Sequence, residues 1–226
     1  MIDRKTFEES LFFPLQFWED KSKSQVKLLL GNETAQMIKY DQRNPHHCYT
    51  LFSHCLHTVQ ELNKEAPISL RIAAFFHDIG KPYVAQEIHG RLVFYGHAAK
   101  SAEITMQLLK NFGYSDQDAK QICFYIYHHD DFISWVIPTE SYDHDNPYLV
   151  EITTENLRVH LKKNNTAALG VLERPFILWM NLLELCYADA SAQAETVYKD
   201  GVIVDTKLHK IKKVDALRTA LKDISL

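Results

Sequence analysis

The feature that most constrains the fold is a histidine-aspartate doublet, His77-Asp78, which follows an apolar run from Ile68 to Phe76. That run is apolar almost all round, and a helix of this kind lies at the centre of a bundle. An imidazole and a carboxylate at the end of a buried helix are costly to desolvate without a partner. A divalent metal is a suitable partner, because both groups are ordinary ligands of first-row metals. The alternative for an isolated pair is a salt-bridged helix end.

Helical spacing of apolar residues continues on both sides of the doublet. The leader, residues 1–40, has aromatic and aliphatic residues at helical spacing, interrupted by Pro14. Asn44-Pro45 is interpreted as the N-cap and first-turn proline of the next helix, whose apolar stripe includes Leu51 and Leu62. After the doublet, Gly80 is expected as the C′ glycine that ends the central helix.

Three later segments are expected to contain structure other than helix. Residues 84–95 predict a short hairpin around a His89-Gly90 turn. Residues 132–150 are expected to form a long loop within an insertion that spans 132–165. Val202 to Val204, after Asp200-Gly201, predict a short strand, and an amphipathic helix is expected from Lys207. These patterns predict an all-α helical bundle with a short β-hairpin and a long inserted loop.

The length supports one substantial core, and seven glycines in 226 residues favour long helices over a turn-rich β architecture. We therefore predict a leader over 1–40, a metal-binding helical core over 41–195, and a hairpin and helix over 196–226 packed on the same domain.

Composition restricts the partners and the compartment. The net charge of −4 argues against a general polyanion binder, so a nucleic-acid contact would have to be a local patch. The four cysteines form no C-x-x-C pair and are expected to be reduced thiols of a cytoplasmic protein. No apolar stretch reaches the length of a membrane span, and no signal pattern begins the chain, so no membrane partner is expected.

The candidate metal ligands come from separate predicted helices, which a bundle can bring together in its core. In chain order they are His54, His77, Asp78, His97, His128, His129 and Asp189. Mixed imidazole and carboxylate ligation suits Mn, Fe, Co, Ni, Zn or, more weakly, Mg.

These ligands divide into two groups that share one aspartate. His54, His77, Asp78 and Asp189 would hold one ion, with water at the open positions. Asp78 could bridge to a second ion held by His97 and one of the two adjacent histidines at 128 and 129. Helical phase does not choose between those two, and the number of ions, one or two, stays open.

Several cations could contact a phosphate. Lys81, three residues after Asp78, is a candidate for neutralising charge in a transition state, with a helix C-terminal charge as the alternative. Arg43 and Lys100 are weaker candidates for phosphate contact. The basic cluster of the last predicted helix (Lys210, Lys212, Lys213 and Arg218) is interpreted as a solvated face, with an RNA contact as the alternative.

The ordered motifs resemble a known family. The strings His77-Asp78-Ile79-Gly80-Lys81-Pro82, Gly96-His97 and Ala188-Asp189 resemble the HD superfamily of metal-dependent phosphohydrolases. Asn44-Pro45-His46, Thr50 and His54, with the Ala188-Asp189-Ala190 ending, are most similar to the HD domain attached to bacterial tRNA nucleotidyltransferases. The resemblance covers roughly residues 40–195.

This resemblance implies an HD-domain helical bundle that hydrolyses phosphate esters of a nucleotide or RNA end. In the tRNA-linked members it implies 2′,3′-cyclic phosphodiesterase, 2′-nucleotidase and phosphatase activity. The Gly-Ser and paired acidic signature of the nucleotidyltransferase domain is absent from the sequence, so tRNA end-addition is not expected. The role of the 132–165 insertion is not supplied by the resemblance.

The leading hypothesis is water activation by the metal, with Asp78 holding both the metal and the water. Two alternatives remain at this point. One is an HD-type di-iron oxygenase, which uses the same six ligands, counting one of His128 and His129. The other is a non-catalytic regulatory or RNA-binding module that retains a metal for stability. Oligomeric state is not predicted.

Overall fold

A computed structural model describes residues 2–143, 145–164, 174–199 and 201–224. Within these ranges the chain is mostly helical with only short strand pairs, which confirms the predicted all-α class. Residues 144 and 165 of the predicted 132–165 insertion lie outside the described residues, as does Asp200 before the predicted C-terminal strand.

The helices of the described part begin in the leader and continue to the end of the chain. The first six are α1 (Arg4–Ser10), α2 (Pro14–Trp18), α3 (Lys23–Leu30), α4 (Asn32–Ala35), α5 (Leu51–Glu61) and α6 (Ile68–Phe76). The next six are α7 (Lys81–Val84), α8 (His97–Asn111), α9 (Asp116–His128), α10 (Thr154–Asn164), α11 (Pro175–Ser191) and α12 (Lys207–Lys222).

The strands form three separate pairs. They are β1 (Gln86–Ile88) with β2 (Arg91–Val93), β3 (Trp135–Val136) with β4 (Val150–Glu151), and β5 (Thr196–Lys199) with β6 (Val202–Thr206). The first and third pairs are antiparallel and the second is parallel. The β1–β2 hairpin is the predicted one: His89 and Gly90 at its turn both have positive φ, at 50° and 76°. Positive φ at both central residues is the requirement of a type I′ turn.

The leader contributes its aromatic residues to the central core. Phe7 is fully buried, stacks on Phe112 with ring centroids 5.1 Å apart, and meets Phe75 of α6 edge-on at 5.6 Å. Trp18 is also fully buried, and its Nε1 donates a hydrogen bond to Ser10 Oγ at 2.8 Å. Pro14 begins α2, so the proline separates two short helices as its missing N–H requires.

The predicted start of α5 at Asn44-Pro45 is wrong. The helix begins at Leu51, with Thr50 as its extended N-cap residue. The Asn44 side chain instead accepts a hydrogen bond from the backbone N–H of His46 at 3.0 Å, which closes a local turn. This turn takes the place of a helix N-terminus, and His47 therefore lies outside α5.

The expected role of Gly80 is also corrected. Gly80 has φ −76° and ψ −20°, which is right-handed helical backbone and not the left-handed conformation of a C′ glycine. Its glycine character serves close packing: a Cβ there would lie 2.6 Å from both His97 O and Ser101 N of α8. Pro82 then lies in the first turn of α7, so the chain turns past the doublet and immediately forms another helical turn.

Helices α5, α6, α9 and α11 surround the core, and α12 packs on α11. The apolar run of α6 is buried from Leu70 to Phe76, as its all-round apolar sequence predicts. The doublet therefore follows the most enclosed helix of the bundle. Among the described residues, no helix combines the length and apolar character needed to cross a bilayer.

Candidate metal centre

Four buried imidazoles are oriented by backbone carbonyl groups. His77 Nδ1 lies 2.8 Å from Ala74 O, His97 Nδ1 2.9 Å from Phe94 O, and His129 Nδ1 2.7 Å from Ile126 O. His54 Nδ1 makes a longer contact, 3.3 Å, with a carbonyl at the end of α11. A carbonyl oxygen can only accept, so each Nδ1 carries a hydrogen, and in the neutral imidazole each Nε2 presents a lone pair. These four Nε2 atoms all face the Asp78 carboxylate.

The first cluster combines two of these imidazoles with carboxylates from α11 and from the doublet. His54 Nε2 lies 2.9 Å from Asp189 Oδ1 and 3.7 Å from Asp78 Oδ2. His77 Nε2 lies 3.6 Å from Asp189 Oδ1 and 3.3 Å from Asp78 Oδ2. Asp189 lies inside α11, near its C-terminal end, so the helix itself carries the carboxylate to this position.

The second cluster lies on the other oxygen of Asp78. Asp78 Oδ1 is 3.1 Å from His97 Nε2 and 3.6 Å from His129 Nε2. The two imidazole nitrogens are 3.2 Å apart. Asp130 completes the cluster, with Oδ2 3.2 Å from His97 Nε2 and Oδ1 3.5 Å from His129 Nε2. Asp78 therefore lies between the clusters and presents one carboxylate oxygen to each.

The donor atoms of both clusters fit a divalent cation. His54 Nε2, His77 Nε2, Asp78 Oδ1 and Asp189 Oδ1 are buried and form no hydrogen bond within the described part of the chain. Lone pairs that face one another without a donor are unfavourable, and a cation among them would remove that cost. Ligand atoms around a six-coordinate ion at about 2.1 Å lie about 3.0 Å apart. The observed separations of 2.9 to 3.7 Å are close to this spacing.

When no cation is bound, the neighbouring carboxylates favour the protonated form of the His77 and His129 imidazoles. Burial alone would lower the pKa of His77, yet the adjacent Asp78 carboxylate holds that pKa well above its ordinary value. Burial opposes ionisation of Asp78, but the Lys81 ammonium and the His77 imidazole keep the Asp78 pKa well below its usual range. For His129, the lowering by burial is likewise exceeded by the influence of Asp130, so its pKa is raised. A divalent cation would compete with these protons for the same lone pairs.

Lys81 is the cation nearest to the shared carboxylate. Its Nζ lies 2.6 Å from Asp78 Oδ2, 2.9 Å from Gln42 Oε1 and 3.2 Å from His47 Nε2. Burial and the Lys81 charge lower the pKa of His47 to about 2, so His47 is neutral and can accept the lysine N–H. The lysine is thus buried and held by three partners beside the candidate ligands.

His128 lies outside both clusters, although it is adjacent to His129. Its Nδ1 is 2.6 Å from Asp131 Oδ2, which also lies 3.0 Å from His160 Nε2 of α10. The ring packs against the Trp179 indole at 5.7 Å between centroids. Because α9 ends at His128, the direction of the following turn, and not helical phase, determines which of the two histidines enters the centre.

Arg43 and Lys100 also lie away from the clusters. Arg43 Nη2 donates to Glu87 Oε2 at 2.9 Å, and Lys100 Nζ donates to Glu103 Oε1 at 2.7 Å. Neither cation lines the cavity described below. Asp130 is the candidate ligand that the sequence analysis missed; its signal was its place in the polar string after α9, directly beside His129.

The clusters open into a cavity of about 570 Å³. Asp78, Lys81 and His97 contribute to its floor, and α11 and α12 form one side. Residues that line it include Asn44, His46, His47, Val93, Phe94, Tyr95, Gly96, His129, Asp130, Phe132, Ile133, Cys186, Asp189, Ala190, Gln193, Asp205, Lys210, Lys213, Val214 and Leu217. This volume is in the range that encloses a small organic ligand.

Comparison with known families agrees with the fold and the centre. The HD domain family model matches residues 46–161, about half of the chain. The chain therefore belongs to the HD domain family. Membership implies a metal-dependent hydrolase in general terms, and the His and Asp clusters are compatible with metal binding. No curated protein matches the chain. The narrower similarity to the HD domain of tRNA nucleotidyltransferases stays a prediction.

Proposed function

We propose that this protein is a metal-dependent phosphohydrolase that cleaves a phosphomonoester, or a cyclic or linear phosphodiester, of a nucleotide or an RNA end. The observation that carries the proposal is the convergence of four imidazole Nε2 atoms on the two oxygens of Asp78. The four tautomers point every lone pair inward, and a bridging carboxylate between two clusters is the arrangement of a two-cation centre.

The metal ligands we propose are His54, His77, Asp78 and Asp189 for one ion. For the second we propose Asp78, His97, His129 and Asp130. When bound, divalent cations acidify water and withdraw charge from phosphoryl oxygens. The donor set suits Mn, Fe, Co, Ni or Zn, and Mg more weakly, because imidazoles are part of it.

The other residues of the floor would position the ester. Lys81 Nζ is fixed on Asp78 and faces the cavity, so its charge can partly neutralise a phosphoryl group that enters. Asp78 keeps its carboxylate ionised and can accept a hydrogen bond from the attacking water. Cavity volume and apolar residues such as Phe94 and Tyr95 leave space for a nucleoside.

The test combines metal analysis with a panel of phosphate esters: nucleoside monophosphates, 2′,3′-cyclic nucleotides and dinucleotides. We expect hydrolysis of at least one ester with at least one of the six cations, measured as free phosphate from a monoester and as a new monophosphate from a diester. Asp78→Ala should lower the rate by at least ~100-fold, since it removes the bridging ligand, with helical circular dichroism largely retained. Asp20→Ala, an exposed carboxylate in the leader, is the control and should keep full activity.

Three results would overturn the proposal. Full phosphatase activity in Asp78→Ala would remove the centre from the reaction. Oxygen consumption by the iron-loaded protein without hydrolysis of any ester would indicate an oxygenase. Bound metal with no turnover of any ester would indicate a regulatory module.

A further inference from the structure

One wall of the cavity is cationic and comes from α12. Lys210 and Lys213 line the same cavity as Asp78 and Asp189. Residues three apart lie on the same side of a helix, so both lysines face α11 and the cavity together. The solvated face expected from the sequence applies to Lys212, which is exposed and does not line the cavity.

Among the described residues, the Lys210 ammonium group has no hydrogen-bond acceptor. Its Nζ is buried and forms no hydrogen bond with them, and its ion-pair partner, Asp205 Oδ2, is 3.7 Å away. Asp205 Oδ1 accepts from the Thr206 backbone N–H at 2.9 Å and lies 3.0 Å from His209 Nδ1. Asp205 Oδ2 lies 3.7 Å from both Lys210 Nζ and His46 Nδ1, so it pairs with Lys210 by charge but is beyond hydrogen-bond distance. A buried ammonium whose donors meet no acceptor among the described residues is unfavourable, and an anion in the cavity would provide the missing acceptor.

Lys213 adds a second donor at the same wall. Its Nζ donates to the backbone carbonyl of Ile133 at 3.0 Å, which uses one of its three N–H groups. Four carboxylates and three ammonium groups line the cavity within the described residues: Asp78, Asp130, Asp189, Asp205, Lys81, Lys210 and Lys213. The charges nearly balance, so a cavity loaded with divalent cations would be positive overall and would attract a multiply charged anion.

We infer that Lys210 and Lys213 bind a second phosphate group of the substrate, separate from the phosphate that is cleaved at the His and Asp clusters. This inference rests on the proposed function and narrows its substrate to esters that carry two phosphates. A nucleoside bisphosphate and the phosphorylated end of an oligonucleotide share this chemistry. The exposed side chains of Tyr95 and Ile133, on the cavity lining, leave an apolar surface for the base.

The test uses phosphonates, whose carbon–phosphorus bond the proposed reaction does not cleave. Butylphosphonate carries one anionic group, and butane-1,4-bisphosphonate carries two. Titration calorimetry on the Mn²⁺-loaded protein should show tighter binding of the bisphosphonate. In Lys210→Gln/Lys213→Gln, its affinity should fall about tenfold or more, because two charge-assisted hydrogen bonds are lost. Affinity for butylphosphonate should change by less than about twofold.

Lys212→Gln is the matched control, since it removes the same charge from the same helix outside the cavity. It should bind both phosphonates like the wild-type protein. An equal loss for the two phosphonates in the double variant would overturn the inference, because the lysines would then serve the common phosphate or the fold. Unchanged binding of the bisphosphonate would overturn it as well.

Kinetic measurements distinguish the two possible substrates, a nucleoside bisphosphate and the phosphorylated end of an oligonucleotide. Adenosine 3′,5′-bisphosphate and a 5′-phosphorylated dinucleotide are compared with adenosine 5′-monophosphate in the wild-type protein and the double variant. The substrate that uses the two lysines is the ester whose KM rises in the double variant while its kcat is retained. If the wild-type protein hydrolyses none of the esters, the proposed function fails, yet a lysine-dependent preference for the bisphosphonate would still support the second anion site. If esters are hydrolysed without that preference, only the inference fails.

Discussion

At the scale of single residues, the centre depends on which side chain of an adjacent pair turns inward. His129 and His128 are consecutive, yet one faces Asp78 and the other faces Asp131. The sequence did not decide which of the two is the candidate ligand, because the spacing along α9 does not determine the turn after its last residue. Asp130 was missed for the same reason, since it enters the second cluster from that turn.

The pair provides a matched comparison of the two positions. We predict that His129→Gln loses bound metal and lowers phosphatase activity by at least ~10-fold, because a ligand of the second cluster is removed. His128→Gln should retain metal and lose only stability, through its contacts with Asp131 and Trp179. Metal content after dialysis and urea unfolding measure the two effects. The opposite pattern, with metal lost from the His128 variant alone, would contradict the placement of both residues.

At the scale of elements, the doublet is held in place by a close contact between two segments. Gly80 packs directly on the first turns of α8, and its N–H donates to Ser101 Oγ at 2.8 Å. The central helix α6 was predicted with its bounds because a continuous apolar run has few other places to lie. The reason for the glycine was not predicted, because a contact across 21 residues leaves no local signal in the sequence.

We predict that Gly80→Ala lowers the free energy of unfolding by roughly 1–3 kcal/mol, since its Cβ overlaps backbone atoms of α8. Metal affinity should fall with it, because His97 begins that helix. Adding Ser101→Gly in the same chain should not restore stability, since His97 O and Ser101 N, both at 2.6 Å, are backbone atoms that remain. Urea unfolding of the three proteins is the measurement. A Gly80→Ala protein as stable as wild type would show that this contact is not tight.

At the scale of the whole molecule, the fold class and most of the candidate ligands could be predicted from the sequence. The cationic wall that α12 contributes to the cavity could not. His54, Asp78 and Asp189 come from distant positions, but each lies within an apolar helix or just after its end, and such positions can be inferred from one sequence. Lys210 and Lys213 lie on an amphipathic helix whose packing angle on α11 decides what they face. That angle is a tertiary property, so sequence patterning indicated only a basic helix.

The buried thiol of Cys123 predicts how stability responds to alkali. Burial raises its pKa from 9.0 to about 12, and burial likewise raises the pKa of Tyr114, whose hydroxyl donates to Glu8. Because folding raises both pKa values, the unfolded chain loses these protons at lower pH than the folded chain. The stability they contribute is therefore complete below pH 9 and declines as pH rises from about 9 toward 12.

We expect Cys123→Ser to reduce this decline by up to ~1 kcal/mol per pH unit, because serine does not ionise in this range. Serine keeps a donor for Ala102 O, which the Cys123 thiol contacts at 3.3 Å. Urea unfolding at pH 8, 9.5 and 10.5 gives the slopes for both proteins. Parallel slopes in the two proteins would show that the Cys123 thiol does not contribute to the alkaline transition.

The attachment of each imidazole to the main chain has a consequence for how this protein can diverge. Because backbone carbonyl groups orient the four rings, we expect substitutions in neighbouring side chains to leave the ring orientation unchanged. The residues that line the cavity can therefore change while the four imidazoles keep their orientation. For the proposed hydrolase, new substrate preferences could then arise in descendants of this chain without a phase of inactivity.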